Sequence, residues 1–347
     1  MASPQPSGTI SQIAAEIQEA PEAVRRQERE LAGPIEELVR RLKARPPRLV
    51  VTAARGSSAH AATFAKHAIE RHAGIPVASA APSIVTVYRR DLKLEGQLLL
   101  AISQSGESDD LIEQTLSAKR SGALTVALVN ATASPLARAS DIVLPICAGP
   151  EHSVAATKSF VASLAALLRL TAAWAADETL SRSVARLPER LDLAAGLDWS
   201  DWSETLSAAS NLIVLGRGPT LGIAREAALK LKETCNLHAE AFSGAEFLHG
   251  PISLVTREFP ILIFMPADAA AGALIALAGD LRRKRATVFT VGAQEGEGRL
   301  PVVAAEQPEA DAICAIQSFY AALPHLAKLR GLDADRPRHL QKVTRTR

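Results

Sequence analysis

Aromatic residues are scarce in this 347-residue chain, with Phe, Trp and Tyr at 4% of it. That argues against the stacking platforms that hold single-stranded nucleic acid. Charge imbalance is nearly absent too. A formal net charge of +2 supplies no broad field for nucleic acid or a membrane surface. The three cysteines, Cys147, Cys235 and Cys314, lie far apart. They make neither a metal spacing nor a disulfide framework, and so point to a reducing cytoplasm. Met1-Ala-Ser-Pro-Gln-Pro lacks a basic segment leading into an apolar one, so no signal peptide is expected. The longest apolar-rich stretch, Ser159 to Ala176, is Ala-rich and contains Arg169. It reads as a buried helix rather than a membrane span. What remains is the composition of a soluble globular protein, 48% hydrophobic and 22% charged, at a length that suggests about two domains.

The stretch richest in chemistry is Ala101-Ile-Ser-Gln-Ser-Gly-Glu-Ser108. The apolar run Gln97 to Ile102 before it reads as a buried strand. Asp109 to Ser121 after it reads as a helix ended by Gly122. The loop therefore lies at a helix N-terminus, where unpaired backbone N–H groups and the helix dipole favour an anion. Ser103, Ser105 and Ser108 add hydroxyls and Gln104 an amide. With no lysine in the loop it is not a nucleotide P-loop of the Gly-Lys-Ser type. It suits a small phosphate monoester held by neutral donors, with an ordinary Ser-capped turn as the plainer alternative.

Short β-rich runs alternate with helical patterns along the chain: Arg48 to Thr52, Ile75 to Ala78, the Leu98 run, Leu124 to Val129 and Asp141 to Ile146, then a long helix from Val154 to Ala176. This alternation predicts an α/β fold with a doubly wound parallel sheet flanked by helices. Gly56-Ser57-Ser58 and the Ser103 loop both fall at carboxyl ends of strands, where such sheets bind ligands. The pattern then restarts. Asn211 to Gly218 echoes Arg48 to Gly56, each placing Arg-Gly between a strand and an Ala-rich helix. The Phe259 to Met265 strand echoes the Leu98 strand, but Pro266-Ala-Asp-Ala replaces the serine loop. Two copies of one unit with a single phosphate site are expected. The divisions are a helical segment over 1–45 interrupted near Pro21 and Pro34, a first unit over 46–180, a charged link over 181–207, a second unit over 208–330 and a tail over 331–347. Residues 1–8 read as disordered, and so does the polar tail on composition alone.

In the second unit Glu226, Lys230 and Glu233 share a helix face at i, i+4 and i+7, which by spacing alone reads as a solvated salt-bridge stripe. His238, Glu240, Glu246 and His249 follow in a turn-rich span, a combination suited to proton transfer at neutral pH. The two histidines lack a helical His-x-x-x-His spacing, so no metal site is expected.

Together these residues resemble the tandem sugar isomerase (SIS) domains that form the isomerase half of glutamine–fructose-6-phosphate amidotransferase. The resemblance runs from about Ile13 to Thr346. It is carried by Glu16-Ile-Gln-Glu-Ala-Pro21, Ile102-Ser-Gln-Ser-Gly-Glu107, Val154-Ala-Ala-Thr-Lys158, Ala228-Leu-Lys-Leu-Lys-Glu233, His238-Ala-Glu-Ala241, Leu248-His-Gly-Pro251 and Asp333-Ala-Asp-Arg-Pro-Arg338. It implies two tandem SIS units whose sugar phosphate is held by Ser57, Ser58, Ser103, Gln104, Ser105 and Ser108, with a backbone contact at Val154. It implies that Glu233 moves a proton between C1 and C2 beside Lys230. It implies that His249, supplied across a homodimer interface, helps open the ring. Lys342 matches the lysine that forms an imine with the ketose, which makes the tail an ordered closure of the active site.

The departures set the expected reaction. No cysteine precedes Cys147, so no ammonia from glutamine is expected. Ala156 stands where the synthase has a serine, Arg55 replaces a small residue, and Gly244-Ala-Glu-Phe-Leu-His249 departs from Gly-Glu-Leu-Lys-His. The Val-Ala-Ala-Thr-Lys-Ser form at 154–159 looks like the family's stand-alone deaminases. The resemblance therefore implies a cofactor-free glucosamine-6-phosphate deaminase, with a galactosamine-6-phosphate deaminase or a fructosamine-6-phosphate deglycase as alternatives. A sugar-phosphate sensor would need a helix-turn-helix, and the first 45 residues are short, Pro-interrupted and balanced in charge. The partner is then a small sugar phosphate, with neither nucleic acid nor membrane.

Overall fold

The computed structural model describes residues 11–292, 296–340 and 342; the reading of residues 1–8 lies outside them. Three helices come first: α1 (Gln12–Gln18), α2 (Ala20–Glu30) and α3 (Ala32–Ala44). Pro21 and Pro34 each sit in the first turn of a new helix, where backbone N–H groups have no intrahelical acceptor to lose. Ile13, Ile17, Val24, Leu31 and Leu38 face inward, fully buried. Arg29, Glu30 and Arg40 stay in solvent.

The first unit follows as β1 (Val50–Ala54), α4 (Gly56–Ala73), β2 (Val77–Ser79), α5 (Ser83–Thr86), β3 (Leu98–Ser103), α6 (Asp109–Arg120), β4 (Leu124–Val129), α7 (Pro135–Ala139), β5 (Ile142–Pro145) and α8 (Lys158–Ala175). Its strands pair in parallel in the order β2-β1-β3-β4-β5. The winding reverses between β1 and β3, the place where a doubly wound sheet opens a crevice for ligand. α8 begins at Lys158 rather than Val154. The Glu16 carboxylate takes the N–H groups of His152 and Ser153, and Glu151 takes those of Thr157 and Ser159. These side-chain bonds hold 152–157 out of the helix.

The segment expected as a charged link over 181–207 is helical. α9 (Glu178–Ala185), α10 (Leu187–Ala195) and α11 (Ser200–Leu206) fill it. Most of its charges lie outward, but Arg190 turns inward and pairs with Asp311; Leu180, Val184, Leu187, Leu191, Trp202 and Leu206 form an inner stripe that is essentially inaccessible.

The second unit contains β6 (Asn211–Gly216), α12 (Thr220–Cys235), β7 (His238–Ser243), α13 (Gly244–Phe247), a 3-10 turn over Pro251–Leu254, β8 (Pro260–Phe264), α14 (Ala271–Arg283), β9 (Thr287–Val291), β10 (Arg299–Leu300) and α15 (Pro308–Leu329). Its parallel order, β7-β6-β8-β9-β10, repeats the first winding. Side chains alternate between the two faces of each strand. Leu98, Leu100 and Ile102 join Leu212, Val214, Leu262 and Phe264 in one core shared by both units. Leu99 and Ala101 face a separate core of the first unit, and Ile213, Leu215, Ile261 and Ile263 one of the second. The shared core contains residues of α4, α8, α12 and α15, so those helices lie between the sheets. Among the described residues no helix is long and apolar enough to cross a membrane.

A polar cluster also joins the units. Glu309, fully buried in the first turn of α15, faces Arg71 at 3.1 Å, His72 at 3.2 Å and His67 at 3.5 Å, all from α4. Burial opposes its charge, but the nearby His67, the hydrogen bond from Gln307 and the charge of Arg71 outweigh that and hold its pKa at about 2. A carboxylate held below its ordinary value of 4.5 stabilises the fold above that value and loses its contribution as pH falls toward the folded value. Melting temperature is therefore expected to drop from pH 4.5 to 2, and Glu309→Gln to be less stable at pH 7 with a flatter acid limb. Thermal scans across that range check this; an unchanged acid limb in the variant removes Glu309 from the account.

Candidate active site

The loop from β3 to α6 is built to present donors. Gly106 has φ +66, and a Cβ on it would lie 2.1 Å from the Ser134 hydroxyl, so only glycine fits. Asn130 N–H donates to the Gln104 carbonyl and Leu136 N–H to that of Gly106, tying the loop to the turn after β4. The Ser103 hydroxyl oxygen accepts from Gly106 N–H at 3.0 Å, and that of Ser105 accepts from Glu107 N–H at 3.3 Å. Both hydroxyl protons stay available. Ser108 caps α6 by position without a side-chain cap bond, so its hydroxyl is available too.

The neighbouring β1–α4 turn brings Arg55, Gly56, Ser57 and Ser58 to the same cavity, of about 370 Å³. Arg55 pairs with the buried carboxylate of Asp110 in the first turn of α6. The two loops are thereby bound to each other across the crevice between β1 and β3.

α12 supplies the opposite chemistry. Its face of Glu226, Lys230 and Glu233 is not the solvated stripe that spacing alone suggests. The side chains of Glu226 and Lys230 are 0% and 1% exposed and that of Glu233 is 20% exposed. The face turns inward because α12 packs between α4 and α15. Glu226 accepts from the Ser57 hydroxyl at 3.0 Å and the Tyr320 hydroxyl at 2.8 Å, and bonds His60 Nδ1 at 2.8 Å. Lys230 Nζ lies 3.6 Å from Glu226 and is hydrogen-bonded to Glu233. Burial disfavours the Glu226 charge, but Lys230 and the bond from His60 outweigh it and its pKa is lowered. Burial would likewise strip Lys230 of its proton, yet the charges of Glu226 and Glu233 raise its pKa instead. Lys230 is a cation at neutral pH.

The tail does not dangle. The Asp335 carboxylate accepts from Gln12 N–H at 2.8 Å and Ile13 N–H at 2.7 Å, capping the start of α1. Leu340 and Lys342 then line the cavity beside Val154 and Ala156. Lys342 Nζ donates to the Ser153 carbonyl and lies 3.7 Å from buried Glu151. The disorder read from tail composition is thus corrected for residues 331–340 and 342; residues 343–347 lie outside the description.

One cavity therefore gathers Ser57, Ser58, Ser103, Gln104, Ser105, Ser108, Val154, Lys230, Glu233 and Lys342. His249 is not among its lining residues and is exposed on this chain. The rest of the His–Glu span also stays away. His238 and Glu240 are exposed on β7, and Glu246 is used in a capping box with Ser243. His60, Tyr320 and Glu151 carry no motif of their own in the sequence, and nothing in the Glu16 motif says what its carboxylate binds. Only the packing of four distant segments gives them roles.

Because its hydroxyl proton is free, Ser103→Ala is expected to weaken binding of a phosphate monoester by roughly 1.5–3 kcal/mol, the range for a hydrogen bond to a charged group. Calorimetric titration checks it, and an unchanged dissociation constant would place the phosphate elsewhere.

The SIS domain family model matches residues 44–173 and 205–296, one stretch in each unit. Glutamine–fructose-6-phosphate aminotransferase from Thermotoga maritima is 35% identical over 310 residues, covering 83% of this chain and 50% of that protein. The chain spans about half the length of the curated relatives it matches. Among solved structures, one from Silicibacter pomeroyi described as a phosphosugar isomerase has a TM-score of 0.90 at 44% identity, over 94% of this chain and all of that one. The C-terminal domain of glucosamine-fructose-6-phosphate aminotransferase from Francisella tularensis has a TM-score of 0.85 at 26% identity, over 96% of this chain and all of that one. With both sheets wound alike and the serine loop at the switch point of the first, the chain belongs to the SIS-domain family and is related to the isomerase half of glutamine–fructose-6-phosphate aminotransferase.

Proposed function

We propose that the chain is an amino-sugar-phosphate deaminase that converts glucosamine 6-phosphate and water to fructose 6-phosphate and ammonia. One observation carries the reading: the free serine hydroxyls and the Lys230–Glu233 pair line the same cavity. A phosphate at the Ser103 loop and the α6 N-terminus would anchor the open-chain sugar. Glu233 takes the C2 proton of the 2-amino aldose, leaving an enolamine, and returns it to C1. The product is the C2 imine of fructose 6-phosphate, which water hydrolyses with release of ammonia. Lys230, a cation beside Glu233, stabilises charge as it builds on the oxygen at C1. No step in this sequence calls for a metal or organic cofactor.

A pure sensor has little need of a buried lysine–glutamate pair facing its ligand. Ring opening is assigned to His249 of a second copy in a homodimer, since His249 is exposed on the chain that carries it. Lys342 lines the same cavity; deamination does not itself require an enzyme-bound ketose imine. The three free cysteines fit a cytoplasmic setting.

Purified protein is expected to release ammonia and fructose 6-phosphate from glucosamine 6-phosphate. Release only from galactosamine 6-phosphate would change the sugar. A free amine released from a fructosamine 6-phosphate would make the protein a deglycase, and tight binding without turnover would make it a sensor. Glu233→Gln is expected to lower kcat by at least about 100-fold, the usual scale for a general acid–base group, with binding retained. Turnover within a few-fold of the wild type would take Glu233 out of the mechanism.

A further inference from the structure

The cavity's serines divide into two kinds when their protons are accounted for. A hydroxyl has one proton to donate, and a phosphate dianion only accepts. Ser103 and Ser105 each accept a backbone N–H from their own loop, so each can donate outward. Ser58 and Ser108 have no side-chain partner among the described residues. Ser57 is different. Its hydroxyl lies 3.0 Å from Glu226 Oε1, and a carboxylate can only accept. The Tyr320 hydroxyl, at 2.8 Å from the same oxygen, is committed in the same way. Lys230 Nζ, 3.6 Å from that oxygen and itself a cation, keeps Glu226 charged.

We infer that Ser57 reads the sugar and not the phosphate: with its proton fixed on Glu226, it offers only lone pairs to the cavity and accepts from a hydroxyl or amino group of the substrate. This rests on reading the cavity as a sugar-phosphate site, and it separates two roles that the family resemblance assigns to one set of residues. Glu226 is then a positioning residue. It touches no substrate, but it sets the direction of the Ser57 hydroxyl while holding Lys230 beside Glu233. The phosphate is left to Ser58, the Ser103–Ser108 loop and the α6 N-terminus.

Two probes separate the roles. Inorganic phosphate reports the anion site alone, and glucitol 6-phosphate reports the anion site together with the polyol chain. Ser57→Ala is expected to leave the dissociation constant of inorganic phosphate within about twofold and to weaken glucitol 6-phosphate about tenfold, the loss of roughly one hydrogen bond. Ser103→Ala is expected to weaken both alike. Glu226→Gln, whose amide can donate to Ser57 and free its proton, is expected to follow Ser57→Ala for glucitol 6-phosphate without weakening inorganic phosphate. A Ser57→Ala variant that loses inorganic phosphate as strongly as glucitol 6-phosphate overturns the assignment, as does one that changes neither. If the wild type binds neither probe, the sugar-phosphate reading falls and takes this inference with it. If binding follows the expected pattern but no ammonia is released from any amino sugar, only the deaminase reading fails.

Discussion

The Glu226 carboxylate, without solvent access in the seam between two repeated units, is the constraint on which the site depends. A buried charge is tolerated only when its lone pairs are filled and an opposite charge is near. Here Ser57 and His60 come from α4, Tyr320 from α15 and Lys230 from α12 itself. Each helix contributes to the shared core as well. Apolar packing brings the helices together without fixing their rotation closely. The carboxylate fixes it, because breaking one partner of such a pair costs roughly 3–5 kcal/mol. The same contact delivers Lys230 and Glu233 to the cavity that the first unit opens with its serine loops.

The two units show how one fold can carry a site in one copy and close it in the other. Both wind their strands alike, and both place Arg-Gly after the first strand. In the first unit the loop after β3 is polar, neutral and at a helix N-terminus. In the second, the loop after β8 carries Asp268, which pairs with Arg71 of α4 at 2.8 Å. Arg71 in turn faces Glu309, held ionised against its burial. A carboxylate in that loop repels a phosphate, and its ion pairs hold the seam on the far side. Duplication supplies two crevices; the charge in one turns it into a joint.

The wall of the serine-lined crevice depends on α1 meeting the segment around Asp335. Asp335 satisfies the first N–H groups of α1, and Glu16 on α1 satisfies the N–H groups of His152 and Ser153. The segment these bonds hold carries Val154 and Ala156 into the cavity wall and gives Lys342 its carbonyl partner. The lysine thus reaches the cavity by a relay of carboxylate-to-backbone bonds across segments more than 100 residues apart in sequence.

The alternation of apolar runs with helical patterns determined the fold class, because a strand buried on both faces needs a continuous apolar run and its crossover helix an amphipathic one. The serine loop was legible for the same local reason: strand, turn and helix N-terminus are contiguous, so their anion chemistry is written in eight consecutive residues. The repeat was legible too, through two Arg-Gly turns. Local pattern misled where charge was counted without its direction. Glu226, Lys230 and Glu233 read as a solvated stripe and lie in the seam. Spacing places side chains on a common face of a helix but does not say what that face meets. Only the packing of α12 against α4 and α15 decided that this face meets Ser57, His60 and Tyr320, and so which serine proton is spent on a buried carboxylate and which are left for a ligand.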